Sequence, residues 1–517
     1  MRWEVPAELT ERERAVVKRL RRGSKFYVFL REIRAELFDD AFQAELAAAG
    51  YGTPRGQQPL PPAMLAMATL MQAYLGLSDV DAVETAEADM RWQLVLGTLG
   101  QEVSPFGQGS LVRFRERMAM HDLDRRLVDR TVELAKQSGG FGWQALRAAF
   151  DSSPLLGAGR VEDTWNLIGH AMRKLLDCVA KVVQVPAEEI VREAGLTVLG
   201  GPSIKASLDL DWDDPTARQR GLERLLNEAE SLQTWVLARA GEASEKPPLD
   251  QALADLERVV GQDLEPDPNG GGKRIVRGTA RDRMPSLGDR EMRHGRKSKS
   301  KTFNGYKRHI AKAMGSDIIL GAVVLPANVP EHQATEALRR DAERHGELAE
   351  LAIDRGYLGS PVITDLLNRG AKIRCKPWPS RNAGRFTKED FAIDPEARSV
   401  LCPAGKTAYA GAGNVAHFGQ ACATCRLRQR CTTAEVGRSV TLHPQEGLLI
   451  ELRQARRTPE GRAVLRQRTT VEHGLARIGA IQGNRARYKG VRKNTLDVRR
   501  AAALSNLMTV QRMREAA

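Results

Sequence analysis

Apolar positions recur at spacings of three and four through Leu65, Met67, Leu70, Met71 and Tyr74, which predicts a helix within "AMLAMATLMQAYLGL" (63–77). The stretch is interrupted by Gln72 and is too short to span a bilayer, so it reads as a buried helix. Next, "GLSDVDAVETAEADMRWQLVLG" offers Ser78 as an N-cap with Asp81 in the first turn. In "SPFGQGSLVRFRERM", Ser110 can cap a helix carrying Arg113, Arg115 and Arg117. Short helices joined by tight turns, one of them basic, suit either a helix-turn-helix-like DNA-binding module or a bundle with a solvated arginine face. "QALRAAFDSSP" reads as a short strand ending in Asp151 and broken by Pro154. From Glu162 to Val260 the helical period returns, with "NLIGHAMRKLLDCVAKVV" and "RQRGLERLLNEAESLQTWVLARA" as amphipathic helices, before the turn-rich "LEPDPNGGGKR".

The pattern then changes. "DIILGAVVLPA", "AELAIDRGY" and "AKIRCKPW" read as strands, separated by the helical "EHQATEALRRDAERHG" and "GSPVITDLLNRGA". This alternation predicts an α/β core with some parallel pairing. Residues 379–454 break it with short segments, glycines and cysteines. A long helix resumes at "TPEGRAVLRQRTTVEHGLARIGAI", followed by the basic "QGNRARYKGVRKN".

A chain of 517 residues exceeds what one core usually supports, and about three domains fit that length. The excess of 79 Lys+Arg over 65 Asp+Glu, a net charge of +14, favours a polyanionic partner such as nucleic acid. The charged "MRWEVPAELTERERAVVKRLRRG" offers no apolar core for a secretory signal, so a cytoplasmic home is expected. In that compartment clustered thiols suggest metal binding more than disulfides.

Two groups of residues carry chemistry. Asp354 leaves its strand at the carboxyl end, the edge where α/β sheets place their sites, and Asp151 sits in the same way. Glu472 follows Arg468 by four residues, which puts both on one helix face. Three such carboxylates suit two hard divalent cations. Taken singly, each acid is more often a turn residue or a salt-bridge partner, and it is the combination that points to chemistry. Asp289, in a polar basic loop, is a weaker rival for Asp354. Cys402, Cys422, Cys425 and Cys431 have the makings of a closed structural zinc site, with His417 able to replace one thiol. Buried free cysteines are the alternative, and Cys178 and Cys375 read as core residues. Candidate DNA tracks are 290–308, with Arg293, Arg296, Lys297, Lys299, Lys307 and Arg308, and 485–493, with Arg485, Arg487 and Lys489. Phe303, Tyr306 and Tyr488 could pack on sugars or bases there, although a charge run is commonly just a solvated face.

"FDSSPLLGAGRVEDTW", "DREMRHGRKSKSKTFNGYKRHIA", "LAIDRGYLGSP", "LCPAG…CATCRLRQRC" and "RQRTTVEHGLARI…NRARYKG" resemble, in order, the transposases of bacterial insertion sequences. The nearest branch looks like insertion-sequence family 1182, of the RNase H-like DDE class. The resemblance implies a mixed α/β RNase H-like core with Asp151, Asp354 and Glu472 as catalytic acids on two Mg2+ or Mn2+ ions, and Arg468 on DNA phosphate. It implies cleavage at transposon ends, strand transfer into double-stranded target DNA, and a homodimer or larger assembly. A domesticated DNA-binding regulator and a simple nuclease are the alternatives. Leu465 and Gly479 depart from a related Tyr-Arg-Glu-Lys signature, so the route of second-strand cleavage is not implied. The expected organisation is a helical DNA-binding region (1–140), a first core strand (141–154), a helical insertion (155–265), the continued core (266–378), a zinc-ribbon-like cysteine insertion (379–458) and C-terminal core helices with a basic tail (459–517).

Overall fold

The computed structural model describes all residues except 1, 5, 7, 22–23, 50–58, 140–144, 269, 271, 299 and 517. A mixed sheet organises the fold. Its strands are β1 (Leu146–Leu156), β2 (Arg293–Arg296), β3 (Thr302–Ala313), β4 (Ile319–Pro326), β5 (Leu348–Ile353) and β6 (Lys372–Cys375). Their order is β2-β3-β1-β5-β6, and β4 follows β2 along the same edge of β3. β1 runs antiparallel to β3 and parallel to β5, and β5 is parallel to β6.

β1 extends past the expected stop at Asp151, because Pro154 does not break it. Pairing to β5 ends at Ala149, which leaves one side of the strand open. Leu156 N–H donates on that side to the Asn484 carbonyl at 2.9 Å, and Pro154, two residues earlier, faces the same way with no N–H to satisfy.

The helices Pro62–Leu75 and Asp79–Ala88 form where the hydrophobic period and the cap predict them. The first is buried on every side, and Ser78 and Asp81 close a reciprocal capping box. Ser110 is not a cap: the helix Gln108–Met120 starts two residues earlier, with Gly107 at its N-cap. Arg115 on that helix is buried and donates to both Asp79 carboxylate oxygens, at 2.8 and 2.6 Å, so it braces the helices.

The apolar core of these N-terminal helices is continuous with that of the sheet. The C-terminal helix Val491–Ala516 joins them, packing on both Leu123–Gln137 and β4. Asn506 accepts from Ile319 N–H at 2.7 Å and donates to its carbonyl at 2.8 Å, while Arg492 and Arg499 pair with Asp124.

A second core lies within the helical insertion, under Thr164–Val183, Pro215–Ala240 and Leu249–Gln262. A third, small one sits beneath the short strands of 392–441 and contains Phe391, Val400, Phe418 and Cys431. Cys178 packs against the second core and Cys375 is buried in the first. No single helix among the described residues is long and apolar enough to cross a membrane.

Candidate active site

Where β1 and β5 part beyond Ala149, a cleft of about 470 Å³ opens, and Asp151, Asp354 and Glu472 all line it. Asp151 lies within β1, opposite Ile310 of β3. Asp354 follows the last residue of β5 and caps the short turn Arg355–Tyr357, accepting from Arg355 N–H at 2.8 Å. Glu472 stands in the first turn of the helix Thr469–Gln482 with its side chain 58% exposed. Folding has therefore gathered three acids separated by 203 and 118 residues of chain.

The helix carrying Glu472 is not the single long one expected. Pro459–Arg466 ends first, and the bonds at Gln467, Thr470 and Val471 tighten to i→i−3 before Thr469–Gln482 continues. The β-branched run Thr469–Thr470–Val471 crowds the turn at this point. Arg468 is thereby at the helix N-cap, free to reach across the cleft. Its Nη1 is 3.0 Å from Asp151 Oδ2 and its Nη2 is 3.5 Å from Glu472 Oε1. One guanidinium holds two of the three acids.

Burial pushes the Asp151 carboxyl up to about 6; Arg468 and the Ser152 N–H oppose the shift, while Asp354 and Glu331 add to it. Beneath the cleft, burial pushes His309 down to about 3, so its ring is neutral, and Nδ1 shares a hydrogen bond of 2.8 Å with the Tyr357 hydroxyl. Burial also pushes Cys375, behind Asp354, up to about 12.

Of the cations expected to track DNA, Arg296, Lys297, Lys307 and Arg468 line the cleft together with Phe303. Lys299 lies outside the described residues. Two others are committed inside the protein. Arg293 pairs with Asp282 at 2.9 Å and donates to the carbonyls of Arg290 and Met292. Arg308 is buried, donating to Ser153 Oγ, Gln482 Oε1 and the Gly483 carbonyl, and Gly479 leaves it room, since a Cβ there would come within 3.1 Å of its Nη2. Arg485, Arg487 and Lys489 are exposed but do not line the cleft; Arg485 donates to the Gly157 carbonyl and Arg487 to that of Leu77. Asp289 is buried and accepts from the Tyr306 hydroxyl and from Gly490 N–H, a structural tie that sets it apart from the acids of the cleft.

Among the described residues no three His, Cys, Asp or Glu side chains are drawn into an arrangement that holds a metal ion. The donor set nonetheless fits hard divalent cations: the three acids line one cleft, and the guanidinium between two of them occupies a place that calls for positive charge. Cys402, Cys422, Cys425 and Cys431 likewise line one small pocket, and none is in a disulfide. Cys402 Sγ accepts from Lys406 N–H at 3.3 Å and Cys422 Sγ from Arg438 N–H at 3.4 Å. His417 is exposed on the strand Val415–His417 and does not line that pocket.

Sequence reasoning passed over Glu331 and Ser152, which also line the cleft and bond to each other at 2.6 Å. Glu331 was concealed as an ordinary acid at a helix start, and only the fold brings it to Asp151.

A family model described as a transposase DDE domain matches residues 400–511, and a second, the transposase domain DUF772, matches residues 16–117. The first includes Arg468, Glu472 and the four clustered cysteines; Asp151 and Asp354 lie outside both. The mixed sheet flanked by helices fits an RNase H-like DDE domain. Together these matches support a DDE-type insertion-sequence transposase. They do not resolve which insertion-sequence family it comes from. No curated protein and no solved structure matches the chain.

Proposed function

We propose that this transposase binds the terminal inverted repeats of its element and uses Asp151, Asp354 and Glu472 both to cut the transposon end and to join it to target DNA. The observation that carries this reading is the shared cleft of the three acids, bordered by Arg296, Lys297 and Lys307. Two Mg2+ or Mn2+ ions held by those acids would supply the charge that activates the attacking oxygen and steadies the leaving one. Water attacks the scissile phosphorus and the P–O3′ bond breaks, freeing a 3′-hydroxyl. That hydroxyl then attacks a target phosphodiester and displaces the target's own 3′-oxygen. Arg468, released from Asp151 and Glu472, turns to a DNA phosphate, where Arg296 and Lys297 also pair. Phe303 offers an apolar surface for a sugar. The remaining catalytic burden is positioning and charge neutralisation.

The four clustered cysteines hold a structural zinc that fixes the small insertion, a role supported by their common pocket and by the N–H bonds to two of the sulfurs. Two chains act together on paired ends.

The test is cleavage of a linear duplex carrying the terminal repeats, in Mn2+. Asp151→Ala, Asp354→Ala and Glu472→Ala should each lose cutting while retaining binding of the same duplex; cutting at the wild-type rate overturns the assignment. Pre-cut ends supplied with a plasmid should be joined to it, and a chain that only hydrolyses them is a nuclease.

A further inference from the structure

A fourth carboxylate enters the cleft from an unexpected direction. Glu331 opens the short turn Glu331–Ala334 that follows β4, on neither of the strands nor the helix that carry the other acids. Both of its oxygens are placed. Oε1 accepts from the Ser152 hydroxyl at 2.6 Å, and Ser152 is the residue after Asp151. Oε2 lies over Gly356, two residues beyond Asp354, so closely that a Cβ there would stand 2.0 Å from it. The carboxylate is therefore wedged between the segments that present the two aspartates.

Its charge has little local compensation. Among the described residues no cation forms an ion pair with Glu331 within 4.0 Å. The nearby Lys307 instead donates to the Val329 carbonyl at 3.1 Å. Beyond the Ser152 hydroxyl, which leaves the charge in place, a divalent cation is the simplest group that would neutralise this carboxylate here. The glycine in "DRGY" has a matching explanation: at this position even an alanine would collide with Glu331.

We propose that Glu331 supplies a fourth carboxylate to the divalent-cation site, and that Gly356 lacks a side chain so that this carboxylate can enter. The inference rests on the proposed cleft site and extends it. Ser152 acts as a positioning residue, orienting Glu331 through its hydroxyl.

Manganese binding tests this without any turnover. The full chain is titrated with Mn2+ by calorimetry, free of DNA. Glu331→Gln keeps the shape of the side chain and its capacity to accept from Ser152 while removing the charge. It should bind Mn2+ at least about tenfold more weakly, as loss of groups that support a metal site commonly does. Gly356→Ala, which displaces Oε2 and leaves the charge in place, should weaken binding in the same direction. Circular dichroism verifies folding of each variant, and either one alone decides the matter if the other fails to fold. Wild-type Mn2+ affinity in a folded variant overturns the proposal. Asp151→Ala serves as the reference. If it loses Mn2+ while Glu331→Gln binds normally, only the fourth acid is wrong; if both bind normally, the reading of the whole site fails.

Discussion

Asp151→Asn should make the metal-free protein more stable, although it destroys the proposed chemistry. The carboxyl is buried to 15% side-chain exposure, and burial lifts its pKa from 3.8 to about 6. Folding therefore favours its neutral form. Below pH 3.8 the group is protonated both folded and unfolded, so no cost arises. Between there and about pH 6 the unfolded chain releases its proton first and the cost grows; above that it is complete. A rise of about 2 units corresponds to about 3 kcal/mol at neutral pH. Asparagine escapes this cost, keeps an oxygen for the Ser152 N–H, and leaves Arg468 with Glu472. The assay is thermal unfolding in EDTA from pH 4 to 8. The variant should match the wild type near pH 4 and exceed it by on the order of 5 °C at pH 8. Added Mg2+ should raise the wild type and leave the variant unmoved, because a ligand stabilises only the state that binds it. A difference independent of pH, or a variant less stable at pH 8, refutes the reasoning. This is a site in which stability is sacrificed to function.

Other expectations concern elements away from Asp151. Arg115→Ala leaves Asp79 without the guanidinium that offsets its burial, and should cost about 3 kcal/mol in denaturant unfolding; a loss under about 1 kcal/mol would show that the pair does not brace the helices. Arg296→Ala with Lys297→Ala should lower the slope of log affinity against log salt for duplex DNA by roughly 2, one for each phosphate contact removed. An unchanged slope removes both residues from the DNA path. Protein purified from zinc-supplemented medium should release one zinc per chain to a colorimetric chelator on denaturation, and Cys422→Ser with Cys425→Ser should release none. Zinc-free wild type, folded as well as the zinc-supplemented preparation, contradicts the structural role.

What could be read from the chain follows the range of the forces involved. The Ser78–Asp81 capping box and the buried helix at Pro62–Leu75 are settled by neighbours three and four residues apart, so the linear pattern displays them. The end of β1 is hidden in the sequence because Pro154 looks like a breaker, whereas in the fold β5 diverges and leaves that edge open. The helix around Arg468 reads as continuous because no Gly or Pro interrupts residues 462–473; only the tightened bonds and the pull of Asp151 turn the arginine into the cleft. Arg293 and Arg308 resemble their basic neighbours, and nothing local distinguishes an arginine held by partners within the protein from one that faces solvent. Asp151, Asp354 and Glu472 were nameable from motifs, whereas Glu331 owes its place wholly to the path of the chain after β4.

The most direct measurement is anomalous diffraction from crystals soaked in Mn2+. Manganese peaks should lie in the cleft, bonded to carboxylate oxygens of Asp151, Asp354 and Glu472, with the Arg468 guanidinium displaced. A well-ordered crystal with no manganese at these acids, and Arg468 still bridging two of them at millimolar Mn2+, would contradict the account.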